Sequence, residues 1–171
     1  MTPTCYVMVG LPASGKSTRV RAMTDMDPDA YVYSTDNIVE RIAEQLGKTY
    51  EEVWEKHVSS AQKEADIFLA EAIKHKQDVI WDQTNLGAGK RRKIVKRMQQ
   101  AGYEVVCECF MQPTAVDDVA EWNWRLHNRP GKSIPDHVIK NMINTFVLPT
   151  EEEGFNNIAF FDIYGKEVVP A

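Results

Sequence analysis

The chain has 171 residues, 43% apolar and 26% charged, the composition of a soluble globular protein with one substantial core. No apolar run reaches the ~18–20 residues that cross a bilayer, and Met1-Thr2-Pro3-Thr4 lacks the layout of a secretory signal. An intracellular, cytoplasmic protein without a membrane partner is expected. The net charge of −5 argues against a protein coated in nucleic acid.

Thr4–Val9 is a short β-rich run that stops at Gly10, and a helix is expected from Lys16 to about Met23. Tyr31–Ser34 reads as a second strand. Ile38, Ile42, Ala43 and Leu46 then recur at helical spacing, with Ser34 or Thr35 as N-cap. Thr49-Tyr50-Glu51-Glu52 is a capping box. It opens a long helix whose apolar stripe runs through Val53, Trp54, His57, Val58, Ala61, Ala65, Phe68, Leu69, Ala72 and Ile73. His57 on that stripe reads as a core or boundary histidine. Asp78–Asp82 is a third strand, leading into Gln83-Thr84-Asn85-Leu86-Gly87.

Between Gln83 and Tyr103 lie Lys90, Arg91, Arg92, Lys93, Lys96 and Arg97 with no acidic residue. This basic helix, with Ile94, Val95 and Met98 inward, is either a solvated face or a local site for a polyanion. Glu104–Met111 is a fourth strand. Its Cys107 and Cys109 share one face and read as small buried apolar residues in place of metal ligands, and the odd count of three with Cys5 argues against a disulfide framework. Helices follow at about Ala115–His127 and from Pro135, the latter with Val138, Ile139, Met142, Ile143 and Phe146 on one face. Glu151–Glu153 reads as a solvated turn, and Ile158–Ile163 as a fifth strand. Strands separated by helices imply parallel βαβ units, hence an α/β fold with a parallel sheet flanked by helices.

The chemistry is concentrated in Gly10-Leu11-Pro12-Ala13-Ser14-Gly15-Lys16-Ser17, a complete G-x-x-x-x-G-K-S/T loop between a strand and a helix. Glycines let successive N–H groups converge on phosphate oxygens, and the helix N-terminus adds its positive end. Lys16 would reach the β- and γ-phosphates of ATP, and Ser17 would ligate Mg²⁺. Gly10 to Thr18 are therefore the expected nucleotide-binding residues. Asp36 and Asp82 fall at the C-terminal ends of strands, the edge where open parallel sheets bind ligands. Phosphoryl transfer needs a base for the acceptor hydroxyl and a carboxylate for the metal. Asp36 is assigned as base and Asp82 as metal-side carboxylate, and the residues leave the exchanged assignment open. Arg125 and Arg129, i and i+4 on one helix face, can meet charge on the transferring group. The break at Arg129-Pro130-Gly131-Lys132 suggests a movable helical lid over about residues 125–135, where His127, Lys132 and His137 are lesser candidates.

The stretches GLPASGKST (Gly10–Thr18), STD (Ser34–Asp36), WDQTNL (Trp81–Leu86) and RLHNRPGKSIP (Arg125–Pro135) resemble the kinase domain of the polynucleotide kinases of T-even phages. DQTN (Asp82–Asn85) and IPDHVIKNMINTFVLP (Ile134–Pro149) are also similar to the P-loop domain of heterogeneous nuclear ribonucleoprotein U. The resemblance implies a single P-loop kinase domain over residues 1–171. It implies phosphorylation of the 5′-hydroxyl of DNA or RNA, with Asp36 as base, Arg129 and Arg125 at the transition state, and Asp82, Thr84 and Asn85 on the acceptor side. Where the phage kinases carry an arginine for substrate phosphate, this sequence has Val39, and Arg41 is the candidate substitute. Asp162-Ile163-Tyr164-Gly165 lacks the second carboxylate of the phage phosphatase motif, so no phosphatase activity is expected. Two other readings stay open: a nucleoside or other small-molecule kinase, and a non-catalytic nucleotide-dependent RNA-binding module.

Overall fold

The structure, a computed structural model, describes residues 1–130 and 132–170. The chain runs β1 (Thr4–Val9), α1 (Lys16–Met26), β2 (Tyr31–Tyr33), α2 (Thr35–Leu46), α3 (Tyr50–Lys74), β3 (Val79–Trp81) and α4 (Ala88–Gln100). It continues through β4 (Glu104–Phe110), α5 (Val116–His127), α6 (Asp136–Thr145), a 3-10 turn (Glu151–Glu153), β5 (Asn157–Phe161) and β6 (Glu167–Val168). The strands form one sheet in the order β2-β3-β1-β4-β5-β6. The first five are parallel and β6 is antiparallel to β5.

Period-two alternation along β1 divides the core. Cys5, Val7 and Val9 face α3 and α4, where Ala65, Leu69, Ala72, Ile94, Val95 and Met98 pack on them. Met8 points to the opposite face with Ile80, Phe110, Phe161 and Val20 of α1. A third cluster joins Leu11 and Leu86 at the strand ends to Trp122 of α5 and Ile163 of the β5–β6 turn. This cluster seats α5 and α6 over the carboxyl edge. The chain leaves β1 for β2 on one side, while β3, lying between them, sends α4 across to β4 on the other. That reversal opens a crevice at the carboxyl ends of β1 and β3.

Local signals set the helix starts. Ser34 Oγ accepts from Asn37 N at 3.2 Å, and Thr49 and Glu52 form the expected reciprocal box at the head of α3. Two stripe residues do not reach the core. Leu46 is exposed at the end of α2, and Phe68 lies one position round from the buried line Ala61, Ala65, Leu69, Ala72 of α3. Val39, which the stripe did not include, is fully buried and packs with Ala43, Val53 and Ala61 where α2 meets α3. His57 is half-buried, as a boundary residue should be. All three cysteines are buried and free. No described helix is long and apolar enough to cross a membrane.

Two charged residues depart from expectation. Arg91 does not belong to the exposed basic face, and Glu153 does not lie in a solvated turn. Both side chains are essentially inaccessible and pair with each other, Nε to Oε1 at 2.6 Å and Nη2 to Oε2 at 3.1 Å. Arg91 Nη1 also donates to the carbonyls of Asn85 (3.0 Å) and Leu86 (2.8 Å), while Thr150 N donates to Glu153 Oε2 at 2.9 Å. A buried charge needs full compensation. Here the pair ties the loop after β3 to the approach to β5.

Candidate active site at the carboxyl edge of the sheet

The loop after β1 turns through three residues of positive φ: Gly10 (154°), Ala13 (61°) and Gly15 (104°). At Gly10 the restriction is steric as well. A Cβ there would lie 2.9 Å from Ser14 Oγ and 3.0 Å from Phe110 Cβ. Lys16 is the first residue of α1, behind the left-handed Gly15, and Ser17 and Thr18 are exposed in its first turn. The loop is braced from two sides. Gly10 N donates to Thr84 O at 3.0 Å, and Trp122 Nε1 of α5 donates to Pro12 O at 2.8 Å. Ser14 Oγ is buried in the loop with no hydrogen-bond partner among the described residues, an uncompensated polar atom of the kind that a bound anion would satisfy.

Around this loop the carboxyl edge brings opposite charges together. Burial lowers the Lys16 ammonium to about 8; Asp82 and Asp36 counteract that shift, and Arg129 and Lys132 add to it. Burial pushes the carboxyl of Asp82 above its usual range, against the pull of Lys16 and with a further rise from Asp36. Asp36, Asp82, Arg129 and Lys132 thus all lie close enough to Lys16 for their charges to act on it. Asp82 follows β3 and its amide is held by Tyr33 O at 2.9 Å.

Asp36 sits in the first turn of α2, exposed. Its Oδ1 accepts from Tyr50 Oη at 2.7 Å, and its Oδ2 lies 3.6 Å from Lys132 Nζ. Lys132, a lesser candidate from the sequence alone, is central to this arrangement. Its ammonium also meets Glu40 Oε1 at 2.5 Å and stands 4.8 Å from the centre of the Tyr50 ring. The next residue, Ser133, donates its amide to Glu51 Oε1 at 2.6 Å. The segment between α5 and α6 therefore rests on the heads of α2 and α3. Gly131, part of the expected break, lies outside the described residues. A contact across nearly a hundred positions leaves no trace in local periodicity; the only available signal was a lysine beside the paired arginines.

The two arginines separate. Arg129 takes part in the charge environment of Lys16, whereas Arg125 is turned to the β5–β6 side. There it donates to Ile163 O at 2.7 Å and Glu121 Oε1 at 2.9 Å and lies 5.6 Å from the Tyr164 ring centre. Arg41 pairs with Glu64 of α3 at 2.6 Å. Asn85, at φ 47°, is buried, with its amide donating to Met8 O at 2.7 Å. It braces the strand ends from below. Thr84 is half-exposed beside it. Asp162, in the stretch without a phosphatase motif, caps a hairpin turn by accepting from Tyr164 N and Lys166 N, both at 2.9 Å.

Solved structures share this architecture at low identity. One comes from the PezAT chromosomal toxin–antitoxin system of Streptococcus pneumoniae (TM-score 0.66, 14% identity, 98% of this chain and 70% of that one). A fungal RNA kinase aligns with TM-score 0.59 at 14% identity over 95% of this chain and 76% of that one. A chain of the Pnkp1/Rnl/Hen1 RNA repair complex aligns with TM-score 0.63 at 22% identity, over 84% of this chain and 44% of its own length. The likeness shows a P-loop kinase-type fold. The family model described as an AAA domain matches residues 6–149, most of the sequence and all of the crevice, and the chain belongs to that family.

Proposed function

We propose that this protein transfers the γ-phosphoryl group of ATP to the 5′-hydroxyl of a DNA or RNA strand. The observation that carries the reading is the exposed carboxylate of Asp36, held between Tyr50 and Lys132 on the same crevice as the cradle lysine. A module that only binds nucleotide has no use for such a base. Lys16 and the loop amides hold the triphosphate. Asp36 accepts the proton of the acceptor hydroxyl as its oxygen bonds to the γ-phosphorus and ADP departs. Arg129 offsets the charge on the transferring group, while Arg125 fixes the β5–β6 turn against α5. Thr84 contacts the acceptor, and Asn85 shapes that wall from below.

Ser17 and Asp82 suit Mg²⁺, because the donors are all hard oxygens. The Asp82 carboxylate has no hydrogen-bond donor among the described residues, and the Ser17 hydroxyl is exposed beside the loop. Once bound, the ion would neutralise phosphate charge.

A second reading is favoured by one observation. A cleft of about 650 Å³ lies under the α5–α6 segment, lined by Trp122, Leu126, Arg129, Lys132 and Ile139 among others. That size suits a small-molecule acceptor. Incubation with γ-labelled ATP, Mg²⁺ and a panel of 5′-hydroxyl DNA, 5′-hydroxyl RNA and nucleosides separates the two. Label on oligonucleotides, lost in Asp36→Asn, is expected. Labelled nucleosides beside unlabelled oligonucleotides would refute the polynucleotide acceptor. ATP binding with no labelled acceptor would refute the kinase.

A further inference from the structure

Beside the crevice, on the α3–α4 face, lies a second cleft of about 230 Å³ that the phosphoryl-transfer chemistry leaves unused. Its floor is the stacked pair Tyr33 and Trp81, with ring centres 4.0 Å apart, and Gln62 and Asp66 of α3 form one wall, where Asp66 accepts from the Tyr33 hydroxyl at 3.0 Å. The other wall is α4, which presents Lys90, Lys93 and Arg97. These three are i, i+3 and i+7, one line along a helix. Among the described residues Lys90 and Lys93 have no salt-bridge partner, and Arg97 has only a 3.4 Å contact to Asp66. Three cations against the one carboxylate of Asp66 leave the cleft positive on a protein of net charge −5.

The cleft also connects to the site. Lys90 Nζ donates to Gln83 Oε1 at 2.7 Å, and Gln83 Nε2 donates to Thr35 Oγ1 at 3.3 Å, next to Asp36. The floor residues are buried, Tyr33 at 1% and Trp81 at 4% exposure. They cannot offer faces for base stacking, so the available chemistry is cationic and directed at phosphate.

We infer that the α4 cleft holds internucleotide phosphates of a single-stranded acceptor, just downstream of the terminal nucleoside whose hydroxyl reaches Asp36. The inference rests on the polynucleotide reading above and names where that strand runs. Seven helical residues rise about 10 Å, room for about two successive phosphates and no more. Recognition there is electrostatic and independent of base sequence. Arg91 takes no part, being spent on Glu153, and Arg92 and Lys96 lie outside the cleft.

The test is direct binding, followed by fluorescence anisotropy of a labelled 5′-hydroxyl single-stranded oligonucleotide over a salt series. The protein carries Lys93→Gln with Arg97→Gln, or Lys93→Glu alone, each checked for folding by its melting curve. Losing two phosphate contacts lowers the slope of log K against log salt by about 1.4. The gap between wild type and double variant should therefore narrow about sevenfold between ~50 and ~200 mM salt. Lys93→Glu should weaken binding in the same direction. Equal affinities and equal slopes for wild type and both variants would overturn the inference. The outcome is separable from the kinase assay: no 5′ labelling with salt-dependent binding through α4 would remove the reaction and keep the cleft, whereas labelling with unaltered binding would do the reverse.

Discussion

Replacing Arg91 by methionine is the sharpest test of how the loop after β3 is held. The guanidinium is fully buried and makes two bonds to Glu153 and two to the carbonyls of Asn85 and Leu86. Methionine fills much of the volume but leaves a carboxylate in the interior with Thr150 N as its remaining partner. Breaking a buried pair from one side costs about 3–5 kcal/mol. At ~2–4 °C per kcal/mol for a chain of this size, the melting temperature should fall by roughly 6–20 °C. Glu153→Gln keeps an acceptor for Thr150 N while removing the charge. The double variant Arg91→Met/Glu153→Gln should then be less destabilised than the sum of the singles by about 1–3 kcal/mol, because neither charge is left alone. Part of the loss should persist, since the two loop carbonyls still lack a donor. Urea denaturation followed by circular dichroism measures all four corners of the cycle. Strict additivity, or a single-variant loss below ~1 kcal/mol, would refute the reasoning.

Gly10→Ala should weaken ATP binding in calorimetry by roughly 5- to 150-fold, because the new methyl meets Ser14 Oγ and Phe110 at φ 154° and strain of this kind costs about 1–3 kcal/mol. The ammonium of Lys16, lowered by burial to about 8, is charged below that pH and neutral above it. kcat/KM for ATP should therefore fall as pH rises through about 8, and Lys16→Arg, charged throughout, should lack that limb even at reduced activity. Arg129→Ala should lower kcat by roughly 10²-fold or more with a near-normal melting curve. Arg125→Ala, which strips a donor from Ile163 O, should lower the melting temperature by a few degrees with a smaller effect on kcat; identical profiles for the two variants would contradict the geometry.

The cradle was legible because it is local: eight consecutive residues specify the turn, the amides and the helix that follows. The parallel strands and the capping box of α3 were legible for the same reason. What escaped the sequence was pairing at a distance. Arg91 sits among five other basic residues and shares their pattern, yet Glu153, which decides its burial, is 62 positions away. Lys132 reads as one more cation in a polar segment until folding sets it against Asp36 and Glu40. Arg125 and Arg129 share a helix face by spacing, but the β5–β6 turn captures only the first. β6, two residues long and antiparallel, carries too little sequence to announce itself. Leu46 and Phe68 show the converse error, apolar residues whose helical phase runs just past the contact.

The three cysteines have a practical consequence for anyone working with this chain. Each thiol lies inside the sheet or its packing, and burial raises its pKa, that of Cys109 to about 12. Thiolate is the species that reacts with maleimides and iodoacetamides, so the native fold should be silent toward both. A lone cysteine placed on the solvent side of α4 or at the tip of the α5–α6 segment could then carry a fluorophore or spin label with no background to subtract and no wild-type thiol to remove first.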